Sequence, residues 1–439
     1  MGTRLSAPGP QEKRFAAYMD GLATAAGHQD RETPLKNYCK GLLLPGERKS
    51  IEPMAARLDP SRVQAMRQSL HHLVAKAPWS DETLLDQVRD SVLPAMEKHG
   101  PVMAWIVDDT GFPKKGKHSV GVARQYCGQV GKQDNCRVAV SLSIATWNSS
   151  LPVAYRLYLP KDWADDTERR EKAEVPEEVA FQTKPQLALD QIRAAVAAQV
   201  APGVVLADAA YGNSTEFRDA LSKLELQYVV GIQSTTTVWP PGQQPLPAKP
   251  SSGKGRPASL LQRDSDHQPV AVKQLAIGLP SKAFKQLTWR EGTQQKLQSR
   301  FAAARIRPAH RDYEKTEPHE EQWLLIEWPR EEKEPTKYWI STMPAATKLK
   351  ALVKMAKHRW IIERDYEELK QELGLGHFEG RNWRGFHHHA TLCIAAYGFL
   401  IAERSRFPPS ARIRHLGFVA PGQGSNFRPR GSPRTSRAA

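Results

Sequence analysis

Long apolar runs are absent from the sequence: no stretch approaches the roughly 18 consecutive apolar residues that a membrane span needs. Cysteine is scarce, with 4 among 439 residues at irregular spacing, which argues for reduced thiols in a cytoplasmic protein. The first residues, MGTRLSAPGPQEKRF, contain no apolar segment of the kind found in secretion signals. We therefore expect neither a membrane protein nor a secreted disulfide scaffold.

Acidic residues are in short supply relative to basic ones. There are 63 Lys and Arg against 47 Asp and Glu, which leaves a formal net charge of +16 and a pI near 9.6. Such an excess favours a polyanionic partner, either nucleic acid or an acidic membrane surface. Hydrophobic residues make up 40%, which supports a sizeable core in two or three domains of roughly 100–200 residues each.

The spacing of the apolar residues changes at about residue 100. Up to that point it is helical, most clearly over 81–98, so we predict a helical N-terminal domain over 1–100. Short apolar runs typical of buried strands then alternate with helical patterns over 101–233. The strand candidates are VMAWIV, RVAVSLSIA, LPVAYRLYL, GVVLAD and LQYVVGI. This alternation predicts an α/β core.

Two further regions differ from that core. Residues 239–259 contain six prolines and no acidic residue, which predicts a loop, and a β-rich region follows it. Its strand candidates are PVAVKQLAI, SRFAAARIR, QWLLIEW and KYWIST. After Glu403 there is no acidic residue, while eight arginines are scattered among Pro, Gly and Ser, so we predict a basic disordered tail over 406–439.

Three carboxylates stand at positions where an active-site edge would need them. Asp109 follows the first core strand, Asp208 ends a later one, and Glu363 lies on a helical pattern. Acidic side chains at strand ends can converge at one edge of a sheet, and a carboxylate cluster suits Mg²⁺. Each also has an ordinary explanation. Both aspartates could belong to turns, and Glu363 could pair with Arg359 on an exposed helix face.

The helical pattern around Glu363 has two adjacent stripes. The apolar stripe, which would bury one side, consists of Ile362, Tyr366, Leu369 and Leu373. The polar stripe consists of Arg359, Glu363, Glu367 and Lys370. A carboxylate flanked by cations on a partly buried helix could bind a metal and two phosphates. The alternative is a salt-bridged amphipathic helix.

Three segments carry a family resemblance: IVDDTGFPKKGKHSVGVARQYCGQVGKQDNC, VLADAAYGNSTEFRDAL and RWIIERDYEELKQELGLGHFEGRNWRGFHHH. They resemble DDE-superfamily insertion-sequence transposases of the cut-and-paste branch, and the resemblance covers about 14–409. In that branch the glutamate helix has a Tyr-Arg-Glu-Lys signature with two, three and six intervening residues. Arg359, Glu363 and Lys370 fit the last three members, whereas the tyrosine position holds Ala356 and departs from the pattern.

The resemblance implies a ribonuclease-H-like catalytic core that is interrupted by a β-rich insertion. The insertion would run over 234–342. The second part of the core, with the catalytic-glutamate helix, would run over 343–405. The helical domain over 1–100 would then help to bind DNA.

The resemblance also implies a catalytic and metal-binding triad of Asp109, Asp208 and Glu363. Asp108 is the alternative to Asp109 if the register differs by one residue, and Glu367 is the competitor of Glu363. The implied cofactor is Mg²⁺, as two ions, for which Mn²⁺ can substitute. Metal ions in such a pair, roughly 3.5–4 Å apart, activate the attacking oxygen and stabilise the leaving oxygen of a phosphodiester.

The implied partner is double-stranded DNA, both the ends of the element and the target. A homodimer on DNA, acting at the nucleoid in the cytoplasm, would cleave the ends and transfer the strands, with Arg359 and Lys370 on phosphates. A Gly-rich stretch after Asp109 is predicted to contact phosphates through Lys114, Lys115, Lys117 and Arg124. The alternative function is a catalytically inactive DNA-binding relative that acts as a regulator.

Two other groups of residues leave their roles open. Five tryptophans of the β-rich region could pack in its core or stack on an unpaired base: Trp239, Trp289, Trp323, Trp328 and Trp339. Consecutive residues on a helix point in different directions, so the tract 387–389 of three histidines is read as DNA-proximal or structural rather than as a metal site.

Overall fold

The computed structural model describes residues 9–249, 259–291 and 296–407. Nearly all of the predicted basic tail over 406–439 lies outside the described residues. Within the described part of the chain, no helix is both long and apolar enough to cross a membrane.

The N-terminal part is helical, as its apolar spacing predicts. The helices are α1 (Pro10–Ala25), α2 (Glu32–Leu43), α3 (Ile51–Leu58), α4 (Val63–Ala75) and α5 (Asp81–Glu97). Helix α5 begins where the side chain of Ser80 accepts a hydrogen bond from the backbone N–H of Thr83, which satisfies one of the free donors of its first turn. The apolar side chains of α5 are buried along one face, which confirms the helix predicted over 81–98 from their spacing.

The central sheet begins with six strands: β1 (Ala104–Pro113), β2 (Ala123–Cys127), β3 (Lys132–Ala145), β4 (Ser150–Leu157), β5 (Val204–Ala207) and β6 (Tyr228–Ile232). Strand β3 pairs antiparallel with β1 on one side and with β2 and β4 on the other. Strand β5 pairs parallel with both β1 and β6. All five strands predicted in this region are present, and the parallel strands have nearly continuous apolar sequences because both of their faces are covered.

Five helices connect these strands: α6 (Lys161–Ala164), α7 (Thr167–Lys172), α8 (Lys184–Ala197), α9 (Ala209–Gly212) and α10 (Thr215–Lys223). Helix α8 begins with a capping box in which Thr183 and Gln186 satisfy each other's backbone N–H groups. The crossover from β4 to β5 runs through α8, as a parallel neighbour of β1 requires.

The sheet continues through the region after residue 233. Its strands are β7 (Thr237–Trp239), β8 (Val270–Ala271), β9 (Lys285–Glu291), β10 (Lys296–Pro308), β11 (Gln322–Glu327) and β12 (Lys337–Ser341), with helix α11 at Val272–Gly278. Strand β12 pairs antiparallel with β6, so these strands extend the same mixed sheet. The strand predicted from PVAVKQLAI is wrong after Ala271, since the rest of it forms α11. A short apolar run fits either type of element.

Three helices complete the described chain: α12 (Leu349–His358), α13 (Ile361–Glu367) and α14 (Trp383–Arg406). The helical pattern predicted around Glu363 is interrupted at Arg359 and Trp360, and α13 passes into a π-helical turn at Glu368–Glu372. No glycine or proline marks the break between α12 and α13. Arg359, at the break, contacts a residue of β1 that is described below.

Each face of the sheet has its own hydrophobic core. Trp105 and Val107 of β1 belong to the larger cluster, which includes residues of α5, α8 and α14. Ala104 and Ile106 belong to the second cluster, which includes residues of α12 and α13. Alternate residues of β1 therefore point into different cores, as the two-residue period of a strand requires.

The three consecutive histidines are buried inside α14 and have separate partners. His387 accepts a hydrogen bond from the backbone N–H of Leu157 on β4, at 3.1 Å. The ring of His388 stacks on Trp79 with centroids 3.6 Å apart, and Nδ1 of His389 is 2.8 Å from the hydroxyl of Tyr38. These contacts join α14 to the sheet and to the N-terminal helices, which favours the structural interpretation of the tract.

Candidate active site

The adjacent aspartates of β1 contact different parts of the protein. Asp108 accepts a hydrogen bond at Oδ2 from Nη1 of Arg359, at 2.7 Å. Asp109 accepts at Oδ2 from Nζ of Lys184 at 3.0 Å and from the hydroxyl of Tyr211 at 3.3 Å. Alternate residues of a strand share a face of the sheet. Asp108 therefore lies on the face of Ile106, which packs with α13, and Asp109 lies on the face of Val107, which packs with α8.

Asp208 lies at the end of β5, beside Asp108. Ile106 of β1 is paired in parallel register with Leu206 of β5, and each aspartate lies two residues beyond its member of that pair. Oδ1 of Asp208 accepts from the N–H of Ala210 at 2.9 Å and caps α9. The turn depends on Gly212, because a Cβ there would come within 2.0 Å of a carbonyl oxygen of β6.

Arg359 connects these aspartates with Glu363. It occupies the turn between α12 and α13, and Glu363 is exposed on the first turn of α13. Burial alone would lower the pKa of Arg359, but the carboxylates of Asp108, Asp208 and Glu363 outweigh it and raise that pKa. Three acids from three separate elements therefore act on one guanidinium group.

Burial dominates the electrostatics of Asp108. It raises the pKa of this carboxyl to about 7, and the charges of Asp109 and Asp208 act in the same direction, while Arg359 opposes them. A strongly shifted carboxyl among other charged groups is a typical feature of functional sites.

The donor set fits a hard divalent cation chemically, because it consists of carboxylate oxygens. Among the described residues, however, no three His, Cys, Asp or Glu side chains lie close enough together to hold one ion. The guanidinium of Arg359 is the positive charge that the acids of this site share.

Comparison with known proteins identifies the family. Residues 19–296 match the family model of the DDE superfamily endonucleases. The chain belongs to this family. It is also 32% identical over 169 residues to the "Probable transposase for insertion sequence element IS701" of Microchaete diplosiphon. That alignment covers 38% of this chain and 41% of the relative, so the chain spans about two fifths of the relative's length.

The family match covers both candidate aspartate positions but ends before Glu363. The assignment of Glu363 therefore depends on the spacing of the helix residues and on the position of the side chain beside Arg359. Glu367, its competitor, lies one turn further on α13 and is also exposed. Glu363 is one of the carboxylates that raise the pKa of Arg359, and its catalytic role stays a prediction.

In this member of the DDE superfamily, helix α13 is anchored by two buried side chains that sequence reasoning did not single out as functional. Asp365, fully buried, accepts hydrogen bonds from the hydroxyls of Ser150 on β4 and Tyr397 on α14, the latter at 2.8 Å. The hydroxyl of Tyr366 is 2.6 Å from Oγ of Ser141 on β3. These contacts hold the α13 backbone, and with it Glu363, against the sheet.

Replacing Asp365 with Ala should lower the free energy of unfolding by about 2–4 kcal/mol, because two buried hydroxyls lose their acceptor and a cavity remains. Urea denaturation of the purified variant would measure this. Glu367→Ala is the matched control on the same helix, since its side chain is exposed. An equal, small effect of both substitutions would contradict the anchoring role of Asp365.

The predicted phosphate-contacting residues divide into two groups. Lys370 donates to the carbonyl of Gly111 at 2.9 Å, and Lys114 donates to the carbonyl of Phe378 at 2.7 Å. Burial lowers the pKa of both, that of Lys114 to about 8. The other three, which are exposed, are Lys115, Lys117 and Arg124. The exposed residues can reach DNA without giving up an internal contact.

The five tryptophans of the β-rich region differ in burial. Trp239 and Trp339 are buried, which identifies them as core residues. The other three are half-buried, and a cation lies over each ring: Lys357 over Trp289 at 4.3 Å, Arg305 over Trp323 at 5.0 Å and Arg300 over Trp328 at 5.7 Å. Only these three combine an accessible ring with positive charge, so the candidates for base stacking narrow to them.

Proposed function

We propose that this protein is a DNA transposase that cleaves the ends of its element and joins them to target DNA. The observation that carries the proposal is that Arg359 donates to Asp108 at 2.7 Å and that Asp208 and Glu363 also act on its charge. A strand, a strand end and a helix supply these acids, and the family match, which covers the two aspartates, supports a nuclease function for the protein. The relative named as a probable transposase supports the choice of DNA transposition.

We assign metal binding to Asp208, Glu363 and one aspartate of β1. The contacts with Arg359 favour Asp108 for the third ligand, whereas the family resemblance of the sequence favours Asp109. When bound, a pair of Mg²⁺ ions, or Mn²⁺ in their place, would supply electrostatic stabilisation and activate the attacking oxygen. Arg359 and Lys370 would bind the scissile and flanking phosphates and orient them for attack.

The reaction has two phosphoryl transfers. Water attacks the phosphodiester at the end of the element, and the bond to the 3′ oxygen breaks, which leaves a 3′-hydroxyl and a 5′-phosphate. This hydroxyl then loses its proton and attacks a target phosphodiester in line, and a target 3′ oxygen leaves. Neither step needs a covalent link to the protein, so the protein's contribution is positioning and charge stabilisation.

The fold provides a rationale for this site. We interpret the strand order β4-β3-β1-β5-β6 as a ribonuclease-H-like core and the strands of 234–342 as an insertion that extends it. The helices of 1–100 would help to recognise the terminal inverted repeats. The net charge of +16 would add salt-sensitive affinity for DNA. Two ends must be brought together, so we expect a homodimer on DNA, associated with the nucleoid.

Metal-dependent cleavage of a plasmid that carries the DNA flanking this gene tests the proposal. Asp208→Asn and Glu363→Gln should each reduce cleavage at the element boundary by about 10²–10³-fold or more, because each removes a carboxylate that would hold the metal ions, whose positive charge would stabilise the reacting phosphate. Glu367→Gln, one turn away on α13, is the matched control and should cleave like the wild type.

End binding by gel shift and thermal unfolding would be measured for all variants, so that loss of cleavage is not confused with loss of fold. If the wild type binds the ends but cleaves in neither Mg²⁺ nor Mn²⁺, the protein is a DNA-binding regulator. Cleavage that survives both substitutions would overturn the site assignment.

A further inference from the structure

We propose that Arg359 is a built-in counter-cation that keeps the metal site closed until a DNA phosphate withdraws its guanidinium. The inference rests on the proposed function, because it concerns the same acids. It predicts that metal and DNA bind cooperatively, and that each is weakly bound without the other at this site.

The first support is the position of the guanidinium. Nη1 of Arg359 donates to Oδ2 of Asp108 at 2.7 Å, and the pair is mostly buried, with 28% and 15% of the two side chains exposed. Asp208 and Glu363 also act on this group. Three carboxylates with no cation among them would repel one another, so the guanidinium stabilises the arrangement of the acids in the absence of metal.

The second support is that the acids are not arranged to bind a metal together. Within the described ranges, no three potential ligand side chains approach one point closely enough to hold an ion. Oδ1 of Asp208 is also engaged, because it accepts from the backbone N–H of Ala210. A metal would therefore have to displace Arg359 and draw the acids together.

The third support is that the guanidinium of Arg359 can move away from the carboxylate of Asp108. Arg359 occupies the two-residue break between α12 and α13, so moving it does not require a helix to unwind. Its exposed fraction lets a phosphate approach, and a phosphate oxygen pair matches the donor geometry of a guanidinium as well as a carboxylate does. Once Arg359 pairs with DNA, the three carboxylates lose their counter-charge and gain affinity for a cation.

Mn²⁺ binding to the full chain, followed by the electron paramagnetic resonance signal of free Mn²⁺, tests the inference without any cleavage assay. Without DNA, Arg359→Gln should bind Mn²⁺ about tenfold more tightly than the wild type, a coupling of ordinary size between linked sites. Arg359→Lys, which keeps the charge, should bind more like the wild type. Arg290→Gln is the control, because that exposed arginine stacks on Trp360 and does not contact the acids.

A short DNA duplex supplies the second arm of the test. It should tighten Mn²⁺ binding to the wild type by a similar factor and leave Arg359→Gln nearly unchanged. Adding Glu363→Gln to Arg359→Gln should remove the gain, which would locate the Mn²⁺ at this site. The Mn²⁺ that the duplex alone binds through its phosphates is measured and subtracted. An absence of tightening for the wild type then overturns the inference even if Arg359→Gln does not fold.

Three results would overturn the inference. They are tight Mn²⁺ binding to the wild type without DNA, no tightening with DNA, or weaker binding by folded Arg359→Gln. If the wild type cleaves the plasmid under any of these results, the proposed function stands and only the role of Arg359 is wrong. If no variant binds Mn²⁺ even with DNA, the metal site itself is wrong.

Discussion

Asp108→Asn should abolish DNA cleavage, whereas Asp109→Asn should retain most of it. Asp108 shares its side of the sheet with Glu363 and contacts the guanidinium on which Asp208 and Glu363 also act. Losing that carboxylate should cost about 10²-fold or more in rate, as expected for a ligand of the metal ions that would stabilise the reacting phosphate. Asp109 instead pairs with Lys184 of α8, so its loss should mainly affect folding stability.

The comparison must separate stability from chemistry. Asp109→Asn leaves a mostly buried lysine without its counter-charge, which should lower the free energy of unfolding by about 1–3 kcal/mol. Both variants should therefore be assayed well below their melting temperatures, with end binding measured in parallel. If Asp108→Asn cleaves DNA and Asp109→Asn does not, the catalytic aspartate is Asp109. That is the residue that the family resemblance of the sequence implies.

The protein should lose stability steeply below pH 6.5 because of the three histidines of α14. Each is 2% exposed, and burial lowers the pKa of His387, His388 and His389 to about 4. In the unfolded chain these rings take up protons at about pH 6.5, so acid favours the unfolded state. Stability from such a group is complete above pH 6.5 and is lost as the pH falls toward 4. Each ring should cost about 2 kcal/mol by pH 5 and about 3 kcal/mol near pH 4.

The hydrogen bonds of His387 and His388 predict different contributions to the loss of stability in acid. Both ring nitrogens of His388 face backbone carbonyls, at 3.0 and 2.9 Å, and only the charged ring can donate to both. His387 instead accepts a backbone N–H bond at Nε2 and must lose that bond to become charged. We therefore expect the larger contribution to acid lability from His387.

Urea denaturation at pH 7.5, 6 and 5 would measure this effect. His387→Gln should be less stable than the wild type at pH 7.5, and the difference should shrink by about 2 kcal/mol at pH 5. His71→Gln, at an exposed histidine of α4, is the control and should parallel the wild type at every pH. If the difference for His387→Gln does not change with pH, the ring gains no protons on unfolding and the explanation is wrong.

Much of the fold was predictable because local patterns report burial. The run VMAWIV indicated a strand covered on both faces, and the stripe of Ile362, Tyr366, Leu369 and Leu373 indicated the buried side of a helix; all four side chains are buried. Such patterns failed where the same apolar residues are compatible with either a strand or a helix. The segment 269–277 had apolar residues that suit a strand, yet most of it is helical.

The sequence by itself determined which residue types stand at the ends of β1 and β5 and on the helix after the β-rich region, because strand and helix periods are local. Only the tertiary structure decided that Asp108 and Asp109 belong to different faces, since that depends on which helices cover each side of the sheet. It also decided that Arg359 pairs with Asp108, 251 residues away, rather than with Glu363, four residues along the chain. Charged side chains find the partner that the packed backbone brings close, and no periodicity in the sequence encodes that distance.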